Sequence, residues 1–385
     1  MGSLRYWAKA ALCAFVVAEA QSIPLPYQPV YRKQALEALA AFYGMDFSRA
    51  ERLLAELDSI YGVYVGTAYL RALGYSWRIE IDPSTTWFDS FWERELRRTD
   101  SLLRCCASHP LEKYFIGFGQ RALEVRRLYV RGELMASVWK ARELLSLLER
   151  IRKYVDLYPE MHFELGLYEY YIAYFYRNYP IMRPILRFFP PGDEEKGLAR
   201  LEQCARDPLN YTQTEAAYFL GYIYLYQARR PHLAEKWFRQ LSERFPDNPL
   251  FRRMWAESLY ELGEYKAARQ VIQGWLDKYE SSCLRPPCYL IWSRYPTGEA
   301  VQAYALVGMT RREEGRYAEA KEAFARMDSL LGTLSRFPPP TWARLMREAA
   351  LLEKRMGRVG EAERRMEAVR ARSDVPAYLK HPLSD

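Results

Sequence analysis

Gly263-Glu264-Tyr265-Lys266-Ala267-Ala268-Arg269 returns as Gly315-Arg316-Tyr317-Ala318-Glu319-Ala320-Lys321 and again as Gly357-Arg358-Val359-Gly360-Glu361-Ala362-Glu363. Four residues after the last alanine of each copy comes a large apolar side chain: Ile272, Phe324 and Met366. A glycine in this place ends one helix in the left-handed conformation. The alanine lets a second helix lie close to the first, and the large residue is expected to fill the space toward the next copy. Small residues on the preceding helix (Gly221, Ala256, Gly308) serve the same close approach. A further copy reads Leu220-Gly221 and Tyr224, then Ala234, Phe238 and Pro246. Asp46-Phe47-Ser48-Arg49-Ala50 with Leu54 has the look of a first copy near the N-terminus.

From Ala234 to Ala268 the period is 34 residues. The later spacings are longer and imply longer helices or insertions. Elsewhere apolar residues recur at helical spacing, and the punctuation is short: Asp82-Pro83, Pro190-Pro191-Gly192-Asp193, Pro246-Asp247-Asn248-Pro249 and Pro338-Pro339-Pro340. Thr212 with Glu215 reads as a capping box, and Asp193 precedes an acidic first turn. The chain therefore resembles a tetratricopeptide-repeat protein from about residue 31 to residue 375, a period of 34 residues being that family's. The fold expected is all-α, a right-handed α-solenoid of antiparallel helix pairs. The middle, roughly 155–255, is similar to exported bacterial tetratricopeptide proteins and to eukaryotic inclusion-clearance repeat proteins. Its residues are Gly166 to Tyr171, Pro180, Leu186-Arg187, Pro191 to Asp193, Gly197-Leu198, Leu201-Glu202, Glu215-Ala216 and Phe245 to Phe251. That resemblance implies a non-enzymatic adaptor.

Of 385 residues, 50% are hydrophobic and 27% charged, which excludes a disordered chain. Arg5 and Lys9 precede the apolar run Ala10 to Val17, and Ala18-Glu19-Ala20 follows. This is the pattern of a cleavable secretory signal. Residues 1–20 are expected to be removed, leaving N-terminal helical repeats over 21–160 and a continuous array over 161–385. Removing them lowers the net charge of +8 by one. The remaining excess is spread along helices, with no basic block that would mark a nucleic-acid arm. No later stretch has the length and purity of a membrane span, so a soluble, exported protein is expected, in the periplasm of a Gram-negative bacterium. Cys283 and Cys288 flank Leu284-Arg285-Pro286-Pro287 and suit a small disulfide loop in an oxidising compartment. The pairing of Cys105, Cys106 and Cys204 stays open.

Catalytic signatures are sparse. Gly117-Phe118-Gly119-Gln120-Arg121-Ala122 fits a dinucleotide fingerprint only formally. Its flanks are helical where that chemistry needs a strand, so close helix packing is the better reading. His109, His162, His232 and His381 stand far apart, and no metal site, cofactor or catalytic residue is assigned.

Two surfaces are candidates for binding. The repeat register places Tyr218, Tyr222, Arg253, Glu257, Tyr260, Met309, Arg312, Arg347 and Lys354 on the concave face, where such proteins hold a segment of another protein. Arg344 joins these basic residues, and an acidic partner segment met by arginine forks is expected. The lysine-asparagine clamp of some tetratricopeptide domains is missing, with Glu257, Met309 and Leu351 in the asparagine places. The second surface is the run Phe163 to Tyr179, whose aromatic residues cover most of a helix circumference. Tyr168, Tyr171, Tyr174 and Phe175 are its candidates for an aromatic wall, which suits a peptide or a carbohydrate or other small ligand.

Overall fold

The computed structural model describes residues 24–107, 109–283 and 296–383. The expected signal segment and the Cys283–Cys288 bridge lie outside the described residues.

Helices follow one another in hairpins. The first pair is α1 (Pro29–Tyr43) with α2 (Phe47–Tyr61), and the second is α3 (Val65–Ile81) with α4 (Asp89–Cys105). Next come α5 (Gly117–Val130) with α6 (Leu134–Ala141), then the short α7 (Leu145–Arg152) leading to α8 (Met161–Asn178) against α9 (Glu194–Arg206). The later pairs are α10 (Gln213–Tyr222) with α11 (Pro231–Arg244) and α12 (Pro249–Glu261) with α13 (Tyr265–Cys283). Then come α14 (Thr297–Glu313) with α15 (Tyr317–Gly332) and α16 (Pro339–Arg355) with α17 (Val359–Ala371). A wider π-helical turn, Ile223–Gln227, extends α10. The chain is an all-α, tetratricopeptide-like solenoid. Among the described residues there is no strand, and no helix is long and apolar enough to cross a membrane.

One turn geometry recurs through the array. Besides Gly62, which links the first two pairs, positive φ is found among the described residues at Met45, Gly132, Arg229, Gly263, Gly315 and Gly357, the turns within pairs. Each stands five residues before the small residue of the second helix: Ala50, Ser137, Ala234, Ala268, Ala320 or Ala362. Three of these turns carry the glycine that the motif announces. The turn at Gly132 escapes the motif because serine replaces the alanine. At Met45 and Arg229 an ordinary side chain accepts the left-handed conformation.

The large residue after the alanine packs differently from expectation. It seats on the small residue of its own first helix: a Cβ on Gly221 would lie 2.7 Å from the Phe238 ring, and one on Gly308 would lie 2.7 Å from Phe324. Close helix packing does explain Gly119, where a Cβ would collide with the Tyr69 hydroxyl. Asp193 caps α9 by accepting from the Lys196 N–H at 3.0 Å. The Thr212–Glu215 box does not form. Thr212 donates to Asn210 instead, and Glu215 turns inward to the Trp77 indole N–H at 2.9 Å.

The hollow of the solenoid is partly filled by its own beginning. All of α3 except Glu80 is buried. Trp77 on α3 touches Tyr43 of α1, Tyr218 of α10 and Phe251 of α12, with ring centroids 5.2, 5.1 and 5.6 Å apart. One apolar core thus runs from Tyr31 to Met254. The Asn248 amide donates to the Tyr43 carbonyl at 2.9 Å, a bond between the first pair and the sixth. Farther on, Arg336 approaches Glu133 at 3.5 Å, and Pro339 and Pro340 abut Gly132. Beyond α17, Val375, Leu379 and Leu383 cover the apolar end of the last pair.

Candidate functional site

With α3 inside the hollow, the predicted groove residues divide. Tyr218 is only 2% exposed, lies beneath Trp77 and donates to Glu80 at 2.7 Å. Arg126 completes this buried cluster, its guanidinium 4.4 Å from the Trp77 ring and bonded to Glu80 and Glu215 at 3.1 and 3.0 Å. Tyr218 belongs to the core, because the first pairs fill the space it was expected to border.

Arg253 and Arg312 are on α12 and α14, the first helices of their pairs, and they face the protein's own carboxylates. Arg253 is 4% exposed, with its Nε 2.7 Å from Glu299 and its Nη1 2.5 Å from Glu257. Arg312 is 3% exposed and lies 2.9 Å from both Glu313 and Glu348. Buried guanidinium groups need such partners, so these two arginines tie neighbouring inner helices together. The forks expected to reach a partner's carboxylates are already occupied. Burial pushes the Glu299 carboxyl up, with Arg253 opposing. At Glu257 burial acts upward too, but Arg253, Arg344 and Tyr226 together hold the carboxyl below the usual range.

The remaining candidates meet on one surface, and the tyrosine-rich helix joins them. Tyr129, 48% exposed at the end of α5, has its hydroxyl 3.2 Å from that of Tyr222 on α10. The Tyr222 ring lies 4.8 Å from Tyr226 in the π-helical turn, and the Tyr226 hydroxyl donates to Glu257. From α8, Tyr171 faces Tyr129 and Gln227, while Tyr174 faces Tyr179, Tyr129 and Arg229. Tyr170 and Tyr174 stack at 5.9 Å, as do Tyr171 and Phe175 at 5.8 Å. Burial first, then neighbouring Tyr179, pushes the Tyr174 hydroxyl up to about 12. Arg344 of α16 stands 3.9 Å from Glu257, and the exposed Tyr378 faces Tyr179, Tyr129 and Arg344. Tyr168 stands apart, since its hydroxyl donates to the Pro190 carbonyl at 2.6 Å.

Toward the end of the array the Tyr260 hydroxyl is 3.5 Å from Arg312, and the half-buried Met309 packs against the apolar cluster of the last two pairs. Arg347 donates to the Leu379 carbonyl at 3.0 Å, and the half-buried Lys354 lies near the end of α16. Tyr129, Tyr226 and Tyr378 were missed in the sequence. Tyr129 is in the pair whose turn lacks the alanine, Tyr226 is moved by the π-helical turn, and Tyr378 lies after the repeats.

What this surface offers is aromatic faces with phenolic hydroxyls, the Glu257 and Glu261 carboxylates and the Arg344 and Arg229 guanidinium groups. No group of three or more metal-binding side chains is found among the described residues. Asn210-Tyr211-Thr212 has the form of a glycosylation sequon, but Asn210 is 1% exposed, with its amide oxygen accepting from Thr212. Cys105 and Cys106 are joined to each other, and Cys204 is free and buried.

No family model matches the chain, and no curated protein matches it. Among solved structures, a crystal structure of NprR in complex with its cognate peptide NprX is similar over 89% of this chain and 77% of that one. The identity is 15% and the TM-score 0.43.

Proposed function

We propose that this protein is a non-catalytic scaffold that holds a segment of another protein on the tyrosine-lined inner surface between α5, α8, α10 and α16. The observation carrying this reading is the convergence of Tyr129, Tyr171, Tyr174, Tyr222 and Tyr226 from three separate hairpins. Tyrosine supplies a large contact area with little conformational entropy to lose, which is why it concentrates at interfaces. Tyr222 keeps its place in the proposed site, and Tyr226 is added to it. Tyr260, Met309, Arg347 and Lys354 extend it along the inner face. Glu257 and Arg344 set its local charge, and any preference for an acidic segment rests on Arg344, Arg347 and Lys354. The stacked aromatic wall on α8 equally suits a sugar ring, so a carbohydrate is the second reading.

Export to an oxidising compartment remains part of the proposal and rests on the pattern of residues 1–20. Secreted material should begin at Gln21, as intact mass would show; retention of Met1 contradicts it.

Selection of displayed peptides against the immobilised protein, with a glycan array run in parallel, tests the reading. The scaffold predicts peptides that compete with one another and are lost on Tyr129→Ser with Tyr174→Ser. Glycan retention without any selected peptide favours the carbohydrate.

A further inference from the structure

A second surface is formed by the connection from α8 to α9. Between Pro180 and Phe188 the chain winds through a 3₁₀ turn, Pro180–Met182, and a single helical turn, Arg183–Leu186. Ile181 is 86% exposed and Phe188 74%, the two most exposed large apolar side chains among the described residues. Single exposed apolar residues are ordinary, but two of this size on one short connection mark a surface that meets something. The connection is also fixed in place. The Tyr168 hydroxyl donates to the Pro190 carbonyl at 2.6 Å, Leu186 is buried, and a Cβ on Gly192 would collide with the Glu169 carbonyl oxygen.

The sides of this short winding differ in kind. Ile181, Pro184 and Phe188 recur at i, i+3 and i+7 and are exposed, which sets them on one outward side. Arg183 and Arg187, at i and i+4, are exposed along its edge, and Leu186 is buried on the opposite side. From Tyr170 to Gly192 the chain has three arginines and no acid. Arg177 pairs with Glu194 at 2.9 Å. Arg183 donates to the Tyr176 and Arg177 carbonyls and Arg187 lies 5.0 Å from the Phe188 ring centroid, and neither meets a carboxylate among the described residues. Of the acids that open α9, Asp193 caps the helix and Glu194 is taken by Arg177, which leaves the exposed Glu195 next to Lys196 in the chain.

An apolar side bordered by guanidinium groups without carboxylates suits the boundary between phospholipid headgroups and acyl chains. There the apolar side chains enter and the arginines meet phosphates above them. A second copy of this chain fits less well, because a two-fold pairing sets the patch against itself and brings like charges together. We infer that the α8–α9 connection docks the protein reversibly on an anionic phospholipid surface, with Ile181 and Phe188 inserted and Arg183 and Arg187 on the lipid phosphates. The inference goes beyond the scaffold reading and uses none of its site residues, so either can fail without the other.

The test is flotation of the full-length protein with phosphatidylcholine vesicles containing about 30% phosphatidylglycerol, against phosphatidylcholine alone. The expected result is saturable binding to the anionic vesicles that weakens as salt rises, and about tenfold weaker binding to phosphatidylcholine. Ile181→Ser with Phe188→Ser, and separately Arg183→Glu with Arg187→Glu, should each weaken binding about tenfold or more, with an unchanged melting temperature. Trp139→Ser, which removes an exposed ring from α6, should leave binding as it was. These variants keep residues 1–20 and every other segment, so a loss reports the connection itself. No binding up to about 1 mM lipid, equal binding to both kinds of vesicle, or equal binding by Ile181→Ser with Phe188→Ser overturns the inference. A dimer that this pair of changes abolishes, without any response to vesicles, assigns the patch to a second copy and overturns it as well.

Discussion

Glu164 on α8 shows how one buried group sets a property of the fold. Burial, with Glu215 adding repulsion, pushes its carboxyl up to about 8. In the unfolded chain a glutamate titrates near 4.3. The folded protein therefore keeps a proton that the unfolded chain releases, and stability falls as pH rises from about 5 to 8. Glu164→Gln keeps the shape without the charge. It should remove this slope and raise stability by roughly 1–3 kcal/mol at pH 8, as urea unfolding at several pH values would show. Arg229 is a second case. Its φ of 52° is one that side chains adopt at a cost, and it is exposed. Arg229→Gly should stabilise by about 1 kcal/mol, read as a higher urea midpoint with unchanged slope.

At the scale of helices, the turns were the most legible part of the sequence. Gly263, Gly315 and Gly357, each with its alanine, specify hairpins locally, so the later repeats could be read directly. The third pair was hidden by Ser137, and the capping box at Thr212 failed because Glu215 was needed by Trp77 and Arg126. The candidate site was half legible. Its helices could be placed by register, but which side chains reach the surface depends on α3 entering the hollow, a contact between distant segments that no local pattern encodes. The crossing of α8 and α9 gives a sharp test. A Cβ on Gly197 would lie 2.7 Å from the Gly166 carbonyl oxygen and the Tyr170 nitrogen, both backbone atoms that cannot turn aside. Gly197→Ala should destabilise by about 1–3 kcal/mol. Gly274→Ala, where nothing lies within 4 Å, should be neutral or slightly stabilising, and thermal melts would separate the two.

At the scale of the whole molecule, contacts between distant pairs distinguish this solenoid from an open array, in which damage stays with nearest neighbours. Trp77→Ala should cost about 3–5 kcal/mol. It should also lower hydrogen-exchange protection in α10 and α12, far away in sequence; loss confined to α3 and α4 would contradict the packed hollow. The proposed scaffold role depends on the tyrosine surface, where Tyr129 is 48% exposed. The direct measurement replaces Tyr129 by a photo-crosslinking phenylalanine analogue in the organism that makes the protein, with the exposed Val359 on α17 as the control position. The account predicts an adduct with one defined polypeptide from position 129 and none from 359. No polypeptide adduct from position 129, in protein shown to be folded, would contradict it.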